Sequence, residues 1–237
     1  MANNYFQFKQ FTVQQDKCAM KVCTDACLFG AVVAKNYPTA GNCLDIGTGT
    51  GLVSLMYAQK NPDCNIDAVE IDKAAAEQAE QNFAASAWAE RLNIIYADIL
   101  AFGVQKKYDC IISNPPFFED DLKSQDMLKN NAKHNTSLSL TGLSKIVKEQ
   151  LTSAGIFAVL LPFHRVNYFI EQAAGNDLYL IQQVLIKQTP THDFFRGILF
   201  FSKTKSLAVK SEIIIKNEEG NYTDKFTAAL KDYYLYL

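Results

Sequence analysis

The sequence predicts an α/β fold with a mostly parallel, doubly wound sheet. Two observations carry this prediction: from about residue 42 onward short apolar runs alternate with amphipathic ones, and a glycine-rich turn at 47–51 joins the first such run to a helix. A third, the β-rich last stretch with few helices between strands, places antiparallel strands at one edge.

Each element follows from its local pattern. Residues 42–46 read as a strand and 51–60 as a helix; 66–70 as a strand and 73–86 as an Ala-rich helix. Strands at 92–96 and 108–113 follow, the second running into Asn114-Pro115-Pro116-Phe117. A helix spans 141–151, and a strand at 156–161 is stopped by Pro162. Residues 164–174 form a helix ended by Gly175; 178–187, 197–202 and 212–215 are β-rich, and 225–234 is helical. Before the first strand, Phe6, Phe8, Phe11 and Val13 recur at mixed spacing, and 25–34 is apolar enough to be a helix packed on the core. The polar, aperiodic segment 118–140 is long for a compact domain and reads as a lid or substrate loop. The whole chain, 1–237, reads as one domain, with 1–41 and 205–237 as extensions.

Composition narrows the class. With 237 residues, 49% of them hydrophobic, the chain can bury one good α/β core. No apolar run approaches the ~18 residues of a membrane span, and the N-terminus lacks the basic and apolar regions of a secretory signal. The cysteines at 18, 23, 27, 43, 64 and 110 make no C-x-x-C pair, so reduced thiols in a cytoplasmic protein are expected, with no metal. A net charge of −2 does not advertise a nucleic-acid binder, though a local patch suffices; the candidates are Lys9 with Lys17 and Lys21, Lys129 with Lys133 and His134, and Lys203 with Lys205, and Arg196 before the late strand is a further RNA candidate.

The strand-end segments carry the chemistry. Two prolines stiffen the turn after 108–113 and bias Asn114 towards an extended backbone. One amide side chain, free carbonyls and an aromatic plane suit a planar NH2-bearing substrate. Asp45 precedes Gly47, Gly49 and Gly51, whose G-x-G-x-G spacing differs from the G-x-G-x-x-G of nicotinamide binders. Such a loop brings backbone close to a ligand at a helix N-terminus, and Asp45 suits a cationic or amino group. Glu70 ends the next strand, where an acid suits ribose hydroxyls, with Ile71 as an apolar face for an adenine. Asp98, followed by Ile99, lies at the exit of the third strand, where it suits an adenine amine.

This order resembles the S-adenosylmethionine-dependent class I methyltransferases. The resemblance implies a Rossmann-like domain with a mostly parallel seven-stranded sheet, an antiparallel edge strand and helices on both faces. Further segments are similar to the bacterial tRNA1(Val) (adenine-N6)-methyltransferases: Phe6-x-Phe8-Lys9-Gln10-Phe11, Asp16 to Asp25, Cys43 to Gly47, Ser86-x-Trp88-Ala89-Glu90-Arg91, and the tail from Asn221 to Leu235. That resemblance implies methyl transfer to N6 of adenosine 37, 3′ of the anticodon, in a valine tRNA, by a monomer or weak dimer. It makes Asn114, Pro115, Pro116 and Phe117 catalytic, and Asp45, Gly47, Gly49, Gly51, Glu70, Ile71, Asp98, Ile99 and Asn114 the cofactor site. It also places Lys21, Thr24 and Asp25 near the cofactor or base. Phe117 stands where many members carry Tyr, which keeps stacking and loses a hydroxyl. Alternatives are an rRNA base methyltransferase, a protein-glutamine methyltransferase (for whose usual N-terminal helical domain 41 residues leave no room), and a non-catalytic RNA-binding module.

Overall fold

The computed structural model describes residues 3–18, 21–39, 41–103, 106–115 and 138–237. Its first elements are a short antiparallel pair, β1 (Tyr5–Gln7) and β2 (Thr12–Gln14), then helix α1 (Thr24–Asn36). The alternating part runs β3 (Asn42–Ile46), α2 (Leu52–Lys60), β4 (Asn65–Glu70), α3 (Lys73–Ala84), β5 (Leu92–Tyr96) and β6 (Tyr108–Ser113). After the elbow come α4 (Leu140–Gln150), β7 (Leu151–Pro162), a 3-10 turn at Phe163–Arg165 and α5 (Val166–Ala174). The chain ends with β8 (Tyr179–Lys187), β9 (Phe194–Ser202), β10 (Val209–Ile214) and α6 (Asp224–Leu230).

Among the described residues, eight strands form the main sheet in the order β10-β8-β9-β7-β6-β3-β4-β5. All run the same way except β9, which is antiparallel to both its neighbours, β7 and β8. The sheet differs from the sequence expectation in two respects. The sheet has eight strands, not seven, and the antiparallel strand lies inside it, while the edge strand β10 is parallel to β8. The residues explain the placement. In β9, Ile198–Phe201 is a continuous run of fully buried side chains, as a strand covered on both faces requires. In β10, Val209, Lys210, Ser211 and Glu212 are exposed, as suits an edge.

Alternation along the strands feeds two cores. Cys43, Cys110, Ile112, Ile198 and Phe200 face a layer that includes α1, α2, α3 and α6; Leu44, Ile111, Leu199 and Phe201 face α4 and α5. All six cysteines are free thiols, and Cys43, Cys64 and Cys110 fill the first core. Most element boundaries fall within two residues of expectation. The exceptions are β7, which starts five residues early, β9 and β10, each three early, and α6, which stops four short. The mixed spacing of Phe6, Phe8 and Phe11 resolves as the β1–β2 hairpin. Phe8 stacks on Phe11 at 4.5 Å between centroids and bridges to Tyr234, so the two ends of the chain pack together.

Candidate active site

The strand ends that read as functional converge on one edge. Because β3, β4, β5 and β6 are parallel and adjacent, their carboxyl ends bring the glycine loop, Glu70, Asp98 and Asn114 to the same side, at the crevice between β3 and β6.

The glycine loop is held from below. Asp45 is buried, and its Oδ2 accepts from Thr48 Oγ1 and Ser54 Oγ, both at 2.7 Å. Burial, helped by the nearby Glu70 carboxylate, pushes Asp45 up to about 6 against the opposing hydrogen bonds. Gly47, Gly49 and Gly51 have φ of 72°, 57° and 80°, conformations that side chains rarely adopt. A Cβ on Gly47 or Gly49 would meet nothing within 4 Å, so the loop presents bare backbone to open space. At Gly51 a Cβ would collide with the Phe83 ring, so there glycine is needed for close packing as well. Asn82 ties the loop to the N-terminal strand: its Nδ2 donates to Thr50 O and Gln14 O, and its Oδ1 accepts from Gln14 N.

Glu70 sits at the end of β4 with its carboxylate on three backbone N–H groups. Gly49 N donates to Oε2 at 2.8 Å, and Ile71 N and Asp72 N donate to Oε1 at 3.0 and 2.9 Å. A carboxylate offers about four acceptor positions, so one remains for a hydroxyl. Ile71 is 54% exposed beside it. Asp98 is half-buried, and its Oδ1 accepts from Leu100 N at 2.9 Å. Ile99 turns into the second core, and Leu100 takes the exposed position next to it. The N-terminal segment passes close by: burial and the charges of Glu70, Asp72 and Asp16 push the Cys18 thiol up to about 11.

The elbow is fastened to the glycine-loop strand. Ser113 Oγ, fully buried, donates to Ile46 O at 2.9 Å. Next to it, the Asn114 Oδ1 is buried and has no hydrogen-bond partner among the described residues. Such an orphan costs ~1–3 kcal/mol, which a bound donor returns. Pro115 is buried; Pro116, Phe117, Lys133 and His134 lie outside the described residues, as does most of 118–140.

The N-terminal candidates lie at or just before the start of α1, on the same edge: Asp25 meets Arg196, which is level with Pro162 at the carboxyl end of β7. Cys23 is the N-cap, without a side-chain cap bond, so neither Thr24 nor Asp25 caps this helix. Asp25 Oδ2 instead pairs with Arg196 Nε at 2.7 Å, joining α1 to β9. Lys21 Nζ reaches Asn3 O at 3.3 Å. Sequence reading missed the supports: Thr48, Ser54, Asn82 and Ser113. Thr48 and Ser54 stand three and nine residues after Asp45, a hint that short hydroxyls serve the acid; Asn82 and Ser113 carry no local signal.

Comparison with known proteins gives a consistent picture. The family model described as the methyltransferase small domain matches residues 22–154. The tRNA1(Val) (adenine(37)-N6)-methyltransferase of Bacteroides thetaiotaomicron is 40% identical over 100% of both chains. That of Pseudoalteromonas translucida is 40% identical over 97% of this chain and 98% of its own. The Cytophaga hutchinsonii protein of the same name is 41% identical over 100% of both. Among solved structures, a predicted O-methyltransferase from Agrobacterium tumefaciens shares the fold at TM-score 0.66 and 18% identity, covering 88% of this chain and 96% of its own. A methyltransferase from Pyrococcus furiosus shares it at TM-score 0.53 and 22% identity, covering 73% and 81%.

Proposed function

We infer the activity from one premise: this chain belongs to the tRNA1(Val) (adenine(37)-N6)-methyltransferase family. Its reaction is S-adenosylmethionine-dependent methylation of the exocyclic N6 amine of adenosine 37 in tRNA1(Val), in the cytoplasm, by a monomer or weak dimer. The observation that supports this best is the orphaned Asn114 Oδ1, an acceptor with no donor among the described residues, at a strand end tied to the strand that leads into the glycine loop.

The residues present fit the cofactor. Bare backbone at Gly47 and Gly49 admits a close ligand, Glu70 retains an acceptor for a ribose hydroxyl, and Ile71 offers an apolar surface to a purine. Asp98 would take the adenine amine, and the acids along this edge favour a cationic ligand. When bound, S-adenosylmethionine supplies a methyl group already activated by its sulfonium.

The protein's task is then to make a poor nucleophile reactive. The lone pair of an adenine N6 is delocalised into the ring. Asn114 Oδ1 and the Pro115 carbonyl would accept its two N–H bonds and favour a pyramidal nitrogen whose lone pair faces the methyl group. No strong base is needed before attack, so positioning and electrostatics carry the rate. Phe117 would stack on the extruded base, worth ~1–3 kcal/mol. An anticodon-loop base is cheaper to extract than a paired one.

The test is transfer of labelled methyl from the cofactor to total tRNA, followed by nucleoside analysis. Label in N6-methyladenosine is expected. Label confined to protein, or only to rRNA, would overturn the assignment.

A further inference from the structure

The carboxyl edge continues beyond the elbow onto strands that the cofactor site does not use. Register sets their height. Ser113 on β6 is level with Ile46 on β3 and with Val159 on β7. The β3 end stops there, and β4 and β5 pass it by about one residue; β7 runs on to Pro162, three residues or about 10 Å further. Next to it, β9 pairs Arg196 with Pro162, and Phe194 stands opposite Lys187 of β8. The β7–β9–β8 half therefore forms a wall above the elbow.

That wall alternates aromatic rings with cations. Phe163 is 39% exposed and packs on Phe194 at 5.4 Å between centroids. Lys187 Nζ lies 4.5 Å from the Phe194 ring centre, and the Arg165 guanidinium 5.7 Å from that of Tyr168, which is 44% exposed. His164 and His192 are exposed along the same stretch. Among the described residues, Asp25 is engaged by Arg196, Asp193 sits in the β8–β9 turn, and the exposed Glu218 and Glu219 follow β10 past Lys216, whose N–H donates to Gln188 O. The β8–β9 turn is tied internally, with Thr189 Oγ1 at 2.6 Å from His192 Nδ1 and His192 N donating to Thr189 O. Exposed rings interleaved with cations on an ordered wall are what a single-stranded nucleic acid needs: faces for bases, charges for phosphates.

We propose that this wall carries the RNA strand flanking the methylated adenosine, with phosphates on Arg165 and Lys187 and a neighbouring base stacked on Phe163. This rests on the tRNA reading above. The step in height gives the geometry a purpose: the backbone stays on the raised wall while the target base drops to Asn114 below.

The experiment measures tRNA binding over a series of salt concentrations, and methylation kinetics, for Arg165→Gln, Lys187→Gln and Phe163→Leu. Each charge removal should lower the slope of log K against log salt by about 0.7 to 1. Phe163→Leu keeps an apolar contact for Phe194 but loses stacking, and should raise KM for tRNA roughly fivefold to 100-fold with kcat nearly unchanged. Cofactor affinity should stay at the wild-type value in all three, and Arg165→Lys should restore the slope. Wild-type slope and KM in the variants, with tRNA still methylated, would overturn the wall and leave the tRNA reading standing. A wild-type protein that methylates no tRNA would overturn that reading itself.

Discussion

Two halves of one sheet edge differ in height and in charge. The β3–β4–β5 half is low, with Asp45, Glu70, Asp72 and Asp98 gathered around bare glycine backbone. The β7–β9–β8 half reaches two to three residues further, about 7–10 Å, and carries Arg165, Lys187 and Arg196 among aromatic rings. Between them, just past the end of β6, stands a neutral amide, Asn114. A cationic donor and a polyanionic acceptor have opposite electrostatic needs. In the proposed reading each has its own strands, and the reacting atoms would meet at an uncharged boundary.

Breaking the boundary should have the largest effect. Asn114→Ala should lower kcat by roughly 100-fold or more, about 3 kcal/mol of transition-state energy, with cofactor and tRNA affinities near wild type. Single-turnover rates and separate binding titrations would show whether the loss lies in the chemistry, as expected, or in cofactor binding, which would move Asn114 into the acidic half.

Damage to the low half should spare the wall. Gly51→Ala places a Cβ at φ 80° against Phe83, and should cost about 1–3 kcal/mol in denaturant unfolding. Glu70→Ala strands the N–H groups of Gly49, Ile71 and Asp72, and should weaken cofactor binding roughly tenfold without changing the salt slope of tRNA binding. If the slope moves with it, the two halves are not independent.

A further effect, on stability and not on the reaction, is a pH dependence. Burial raises Asp45 from 3.8 to about 6, so between those values the folded protein holds a proton that the unfolded chain has released. Its contribution to stability is full below 3.8 and is lost as pH rises through 6. Asp45→Asn cannot titrate, and its melting temperature should not show that fall. Parallel pH curves for the two proteins would refute the raised carboxyl.

The low half was more legible in the sequence than the high one, for a physical reason. Its features are local: glycines where the chain must turn, an acid at the end of each apolar run, two prolines after Ser113. The wall depends on strand order and register, which no short window contains. The segment 197–202 reads only as β-rich, and nothing local marks it as an interior strand rather than the antiparallel edge strand that the sequence predicts. Polar residues at Thr152 and Ser153 hid the first part of β7, across the register shift between Tyr108 and Cys110. The pairing of Asp25 with Arg196 joins residues 171 apart, and Asn82 reaches Gln14 across 68. Ile99 was expected on the ligand surface, but the turn buries it and exposes Leu100 instead.

The central claim is that the elbow directs a methyl group to one nitrogen of one nucleotide. Single-turnover methylation of a tRNA1(Val) transcript, compared with the same transcript carrying guanosine at position 37, tests it most directly. N6-methyladenosine is expected in the first and no label in the second. Equal labelling of both transcripts would contradict it.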